Sequence, residues 1–128
     1  MIRIAVDPFP DQAIIDGLWL GAWGGPAPGY AQNVLPRSLV HVGAFVGERM
    51  IGFVNVAWDG GQHAFLLDTC VDPAMRRKGI ATTLVQRAVH EARARGAEWL
   101  HVDFEPDLEA FYRTCGFGST AAGLIRLK

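Results

Sequence analysis

Cysteine is scarce in this chain. Its two copies, Cys70 and Cys115, stand alone, with no CxxC pair or other metal-ligand spacing around them, which argues against a secreted disulfide framework and points to a reducing, cytoplasmic setting. Excess charge of either sign is missing as well. Twelve Lys plus Arg against thirteen Asp plus Glu leave a formal charge of −1 at pH 7, so the broad cationic field of a nucleic-acid binder is absent and no nucleic-acid partner is expected. Uninterrupted apolar runs are also lacking. Residues 17–35 carry no charge, but five glycines and two prolines break them up, and such a segment cannot hold a continuous membrane helix. The first residues show no apolar stretch followed by a small-residue cleavage site, so no export signal is expected. His41, His63, His90 and His101 show no HExxH-type spacing, and no metal is expected.

What the chain does have is apolar bulk. Half of its 128 residues are hydrophobic, with seven Phe and four Trp, which suits one domain over residues 1–128 with its own core and is too little for two. Residues 1–6 alternate as a strand does, and after Asp11 the apolar positions Ile14, Ile15, Leu18, Trp19 and Ala22 recur at helical spacing. The following WGGPAPGY cannot continue a helix, so Trp23 and Tyr30 frame a loop. From Ser38 the period becomes two, with Val40, Val42, Ala44 and Val46 on one side, then a GER turn and a second alternating run from Met50 to Trp58. This is a hairpin.

A DGGQ turn leads into HAFLLDTCV, a third antiparallel strand with Phe65, Leu67, Thr69 and Val71 predicted on one side. After Gly79, the positions Ile80, Leu84, Val85, Ala88, Val89 and Ala92 mark one stripe of an amphipathic helix ending near Gly96. WLHVDF, residues 99–104, is the strand that follows, and a strand–helix–strand crossover makes its two strands parallel. Pro106 suits a helix first turn, with Leu108, Phe111, Tyr112 and Cys115 as its packed face and Gly116 as its end. Residues 123–128 are apolar enough for a closing strand.

Three consecutive cations, Arg76, Arg77 and Lys78, stand directly before Gly79 and this best-defined helix. A helix N-terminus exposes unpaired N–H groups at the positive end of the macrodipole, and a glycine there lets an anion come close. Thr82 or Thr83 could add a hydroxyl to the same phosphate oxygens. The bland alternative is a solvated charge run. No GKS or GKT occurs and the dinucleotide fingerprint lacks its three glycines, so neither nucleotide-binding signature is present.

Arg76, Gly79 and Ala81 form R-x-x-G-x-A between a strand and a helix, and Tyr112, Gly116 and Phe117 form a later Tyr-x-x-x-Gly-Phe. In these two ordered motifs, and over most of its length, the chain resembles the GNAT family of N-acetyltransferases. The resemblance implies an α/β (α+β) fold with a mixed, mainly antiparallel sheet, a central parallel strand pair and flanking helices. It implies acetyl-CoA as co-substrate, its pyrophosphate held by Arg76, Arg77, Lys78, Gly79, Ile80, Ala81 and Thr82, and its pantetheine arm lying along Cys70 and Val71 in a slot between the two parallel strands. It further implies transfer to a primary amine of a small molecule or peptide, by a monomer or homodimer. A non-catalytic acyl-CoA-binding module is the rival.

Acetyl transfer needs a neutral amine, a polarised carbonyl and a thiolate that can leave. For a lysine-like amine of pKa about 10.4, neutrality at pH 7 costs roughly 4.6 kcal/mol unless a base or desolvation helps. Glu105, at a strand-to-helix junction where the family often has Asn, is the leading candidate base, with Asp68 and Asp103 beside it. Glu105 could instead cap the next helix, and the two aspartates could simply face water. Tyr112 matches the family tyrosine near the cofactor sulfur, as general acid or as hydrogen-bond donor to the departing thiolate; the alternative is a core aromatic. Cys70 and Cys115 suit buried, inert thiols, His101 a structural role, and Trp23, Tyr30 and Trp58 are candidate walls for the acceptor.

Overall fold

A computed structural model describes residues 1–128. The chain opens with strand β1 (Arg3–Val6) and helix α1 (Gln12–Trp23). Asp11 caps α1 by accepting the Ile14 N–H at 3.0 Å, and Gly24, at φ 82°, closes it through a left-handed residue that bonds back to Leu20. The Gly- and Pro-rich stretch then tightens into a single π-type turn (Tyr30–Val34) and a 3₁₀ turn (Leu35–Arg37). Tyr30 is buried there, where the sequence suggested only a loop. Three antiparallel strands follow, β2 (Ser38–Val46), β3 (Arg49–Trp58) and β4 (His63–Val71), then helix α2 (Ile80–Ala94), strand β5 (Trp99–His101) and helix α3 (Glu109–Thr114).

The sheet runs β1-β2-β3-β4-β5, antiparallel except for the parallel pair β4–β5. That pair forms one edge, because no strand follows β5. The expected closing strand at residues 123–128 is not formed: residues 117–128 hold no regular element, and Leu124, Ile125 and Leu127 stand exposed. Strand alternation without a neighbour to bond leaves backbone groups to water, and nothing then holds the extended form.

Two apolar layers sandwich the sheet. On one face, Val40, Val42, Val54, Val56 and Leu66 pack against Ile80, Leu84, Val85 and Ala88 of α2 and Tyr112 of α3. On the other, Phe45, Met50, Phe53 and Cys70 pack against Ile15, Leu18 and Trp19 of α1 and Tyr30. His41, fully buried at the N-terminal end of this second layer, accepts the Phe9 N–H on Nε2 at 3.0 Å. Its Nδ1 faces Asp7 at 3.4 Å without a formed hydrogen bond, and Asp7 in turn holds Arg95 at the end of α2 at 2.7 Å.

Strand β4 does not keep the single alternation the sequence suggested. Ala64 and Leu66 are buried under α2, while Phe65 and Leu67 lie on the α1 face. A register shift opposite Phe53 to Asn55 then places Asp68 at φ 60°. This bulge resets the phase, so that Cys70 joins the α1 layer and Val71 the α2 layer.

Candidate functional site

The parallel pair is short. It joins His63 to Trp99, Ala64 to Leu100 and Phe65 to His101, then stops. The predicted strand over residues 99–104 ends at His101, and from Val102 the chain leaves the sheet while β4 continues to Val71. The outer edge of β4 beyond Phe65 therefore has no strand beside it. The family resemblance implied a slot between the two parallel strands, and a cavity of about 420 Å³ opens along this unpaired edge. The N-terminus of α2 forms its floor, α3 one wall and the end of α1 the other.

The floor is an uncapped helix start. Gly79 adopts φ 75°, ψ 11° as the N-cap of α2 and offers no capping side chain. The first intrahelical bond is Thr83 N–H to the Gly79 carbonyl at 3.1 Å, so the first-turn amides before it lack intrahelical partners. A Cβ built on Gly79 meets nothing within 4 Å, so the approach is open space. The Thr83 hydroxyl turns back to the Gly79 carbonyl at 3.0 Å; Thr82 is the one that lines the cavity. Of the predicted cofactor residues, Cys70, Val71, Arg76, Arg77, Gly79, Ile80, Ala81 and Thr82 all line it, and Lys78 is exposed just outside. Arg77 stands at φ 64° in the same loop, and Arg76 donates from Nε to the Val71 carbonyl at 3.3 Å, bracing the loop against the end of β4.

Tyr112 forms the far wall. Its ring is fixed by Phe104 stacked at 4.9 Å and by Phe111 and Phe117 edge-on at 4.9 and 5.8 Å. Burial pushes its phenol above the ordinary value, and the Thr69 hydroxyl pulls partly the other way. The two hydroxyls stop short of a formed bond, for Thr69 Oγ1 is buried without a partner. A buried hydroxyl beside a cavity can donate to or accept from a polar group that enters it. Thr69, Met75, Leu108 and Phe111 line the same space and were not singled out from sequence; only the fold brings them together.

Asp68, next to Thr69, points to the other face, where its Oδ2 accepts the Tyr30 hydroxyl at 2.7 Å. Burial, then the Asp68 charge, push the Tyr30 phenol well above its ordinary range, so it stays protonated and donates. Buried Asn55 lies beside the Tyr30 hydroxyl and accepts from the hydroxyl of half-buried Ser38. Cys70 is buried and its thiol is pushed up to about 12, by burial first and then by Asp68, and burial raises Cys115 as well. Neither offers a thiolate at neutral pH.

The other candidates lie elsewhere. Glu105 is exposed and starts the 3₁₀ turn Pro106–Leu108 with its backbone, making no side-chain cap bond, and it does not line the cavity. Asp103 is exposed on the same connection. Trp23 lines the cavity, but Trp58 sits at the opposite end of β3, bonded to Gly61 at 2.8 Å. His101 pairs with His63 at 2.8 Å beside a Phe65 stack, as a structural histidine would. No group of three metal-ligating side chains occurs, and no helix is long and apolar enough to cross a membrane.

Comparison with known proteins gives concordant results. The model of the acetyltransferase (GNAT) family matches residues 2–117. Glucosamine 6-phosphate N-acetyltransferase 1 of Oryza sativa subsp. japonica is 37% identical over 87 residues, covering 68% of this chain and 50% of that protein. Serotonin N-acetyltransferase 2, chloroplastic, of the same plant is 30% identical over 69 residues, covering 54% of this chain and 34% of that one. The chain thus spans half or less of the length of these curated relatives. A GNAT-family acetyltransferase structure from Streptococcus pneumoniae superposes with a TM-score of 0.81 at 24% identity over 100% of both chains, which is a likeness of fold.

Proposed function

The chain belongs to the GNAT acetyltransferase family, and from that premise we propose that it transfers acetyl from acetyl-CoA directly to a primary amine. The observation that carries this is the continuity of one cavity from the uncapped N-terminus of α2, along the unpaired edge of β4, to Tyr112. Amides around Gly79 to Thr82, with Arg76, Arg77 and Lys78, would hold the pyrophosphate. Backbone groups at Cys70 and Val71 would guide the pantetheine arm, and the unpaired Thr69 hydroxyl would meet a polar atom near the thioester.

The amine nitrogen attacks the thioester carbonyl carbon, forming the C–N bond as the C–S bond breaks. Asp68, placed by its bond to Tyr30, orients the amino group on the α1 face; the ammonium first releases one proton to solvent to give the neutral amine that attacks, and Asp68 takes the second proton, which the nitrogen loses once it is acylated. Tyr112 donates to the departing sulfur from the other side. A phenol near 10 is a weaker acid than a thiol near 8.5, and burial raises this one further, so its part is hydrogen-bond stabilisation of the thiolate, with full proton transfer uphill. Neither carboxylate lines the cavity itself; the one we propose is Asp68, because it adjoins the cavity-lining Thr69 in β4 and is held in place by Tyr30, whereas Glu105 makes no side-chain cap bond. The free Cys70 and Cys115 support a reducing, cytoplasmic setting.

The test is calorimetric titration with acetyl-CoA followed by a thiol-release assay across amines, for wild type and Asp68→Asn. Tight acetyl-CoA binding with amine-dependent thiol release, lost in Asp68→Asn without loss of cofactor affinity, is the expected result. Binding with no release for any amine would leave an acyl-CoA-binding module; no binding would remove the assignment altogether.

A further inference from the structure

Resting on that proposed transfer, the α1 face of the sheet identifies the class of amine. α1 and the Tyr30 turn cover this face as far as Phe53 and Cys70. Beyond them it is open, and next to Asp68 lie Leu67 and then Phe65, 37% and 40% exposed, on the same side of β4. Phe65 extends the shelf onto β5 by stacking its ring on His101 at 4.8 Å and 21°. The shelf ends at Trp99, which shares the face through its pairing with His63 and is 58% exposed. At about 3.3 Å per residue, Leu67 adjoins the carboxylate and Phe65 lies about 10 Å along the strand from it.

Charge decides what kind of body such an amine carries. Strands β3, β4 and β5 hold one lysine or arginine between them, Arg49, and it is tied to Asp72 at the far end of β3. Arg37, after the Tyr30 turn, donates to the Asn33 carbonyl at 2.6 Å. A phosphate or carboxylate within reach of Asp68 would therefore meet that carboxylate, Leu67 and Phe65 with no lysine or arginine free on these strands to answer it, which is costly in free energy; the His63–His101 pair lies beyond Phe65 and is bonded to itself. An ammonium group meets Asp68, and a flat apolar body meets Leu67 and Phe65.

We infer that the acceptor is a free arylalkylamine: a primary amine, otherwise uncharged, whose amino group sits on Asp68 and whose aromatic ring lies on the Leu67–Phe65 shelf. Leu67 and Phe65 are then specificity-determining residues. They meet the part of the acceptor that does not react, so their loss raises KM for ring-bearing amines selectively.

The experiment measures kcat/KM of the wild-type chain with phenethylamine, n-butylamine, a phenylalanyl peptide bearing a free α-amine, and glucosamine 6-phosphate. It then repeats this with Leu67→Ser and Phe65→Ser, and acetyl-CoA affinity is checked for every variant. Phenethylamine is expected to exceed both n-butylamine and glucosamine 6-phosphate by about tenfold or more, as burial of one ring face predicts. Each serine variant should erase that margin through KM while acetyl-CoA affinity stays put. Preference for the sugar phosphate, or equal rates for phenethylamine and n-butylamine in the wild-type chain, overturns the inference while leaving the transfer intact. So does preference for the peptide over phenethylamine. If Phe65→Ser instead dissociates a dimer and leaves acceptor kinetics unchanged, the shelf is a subunit interface and the inference is wrong. Failure of acetyl-CoA to bind is a different result, for it removes the transfer itself.

Discussion

Replacing Gly79 with alanine separates backbone strain from ligand binding. At φ 75°, ψ 11° the residue is left-handed, so a Cβ there costs about 1–2 kcal/mol in the folded state. No atom lies within 4 Å of that Cβ, so no clash adds to it. For a chain of this size the stability loss should lower Tm by roughly 3–8 °C. Gly24, which closes α1 at φ 82°, ψ 7° with equally free surroundings, supplies a matched control: Gly24→Ala should cost the same stability. The two should part on acetyl-CoA. Gly79→Ala sets a methyl group where the pyrophosphate must approach the first-turn amides of α2, and losing one or two hydrogen bonds to a charged group costs about 1.5–3 kcal/mol each. The dissociation constant should therefore rise at least tenfold, against less than about twofold for Gly24→Ala. Thermal melts give the first quantity and isothermal titration the second. Equal effects of the two substitutions on acetyl-CoA affinity would refute the anion site at Gly79, whatever the melts show.

Three further outcomes follow from the site and the buried histidine. Tyr112→Phe keeps every ring contact and removes only the hydroxyl, so turnover should fall by on the order of a hundredfold while acetyl-CoA affinity stays within about threefold; steady-state kinetics beside titration checks this, and equal loss of both would make Tyr112 a packing residue. Arg76→Ala combined with Lys78→Ala should weaken acetyl-CoA binding and flatten its dependence on salt concentration, which titration at two ionic strengths reads. Burial holds His41 below its ordinary pKa, chiefly by desolvation against the opposing pull of Asp7. The folded state then binds fewer protons than the unfolded one, so stability should decline as pH falls below about 6.5, by at most about 1.4 kcal/mol per pH unit, until His41's own lowered value is reached. Urea melts at pH 7.5, 6.5 and 5.5 should show that slope, and His41→Gln should remove it.

Most of this fold was legible because most of its signals are local. The stripe from Ile80 to Ala92, the helix starting after Asp11 and the hairpin around the GER turn each depend on residues a few positions apart, and each matched what formed. The misses were non-local. Phe65, Leu67, Thr69 and Val71 alternate without interruption in sequence, and nothing in composition announces a bulge at Asp68, a non-glycine at positive φ. Residues 99–104 and 123–128 have strand-like patterns, but a strand exists only where a neighbour completes its hydrogen bonds, and that neighbour is set by the fold. The residues proposed to hold the phosphate could be singled out together because Arg76 to Thr82 is one contiguous loop and helix start. The choice among the candidate carboxylates was not legible: Asp68 and Glu105 were both named from sequence, and the bond that favours Asp68 in the proposed mechanism comes from Tyr30, 38 residues away.

The bulge at Asp68 also bears on how such a chain diverges. Because one extra residue in β4 sends Asp68 and Leu67 to one face while Thr69 lines the cavity on the other side, substitutions at Phe65 and Leu67 would leave the proposed cofactor loop from Arg76 to Thr82 untouched. Changes on the two faces should combine with little interference. On the proposed reading, a lineage would exchange one amine for another through drift at Phe65 and Leu67 while selection keeps the loop from Arg76 to Thr82 constant, and a laboratory library confined to the open face would explore new acceptors with the proposed donor loop left intact.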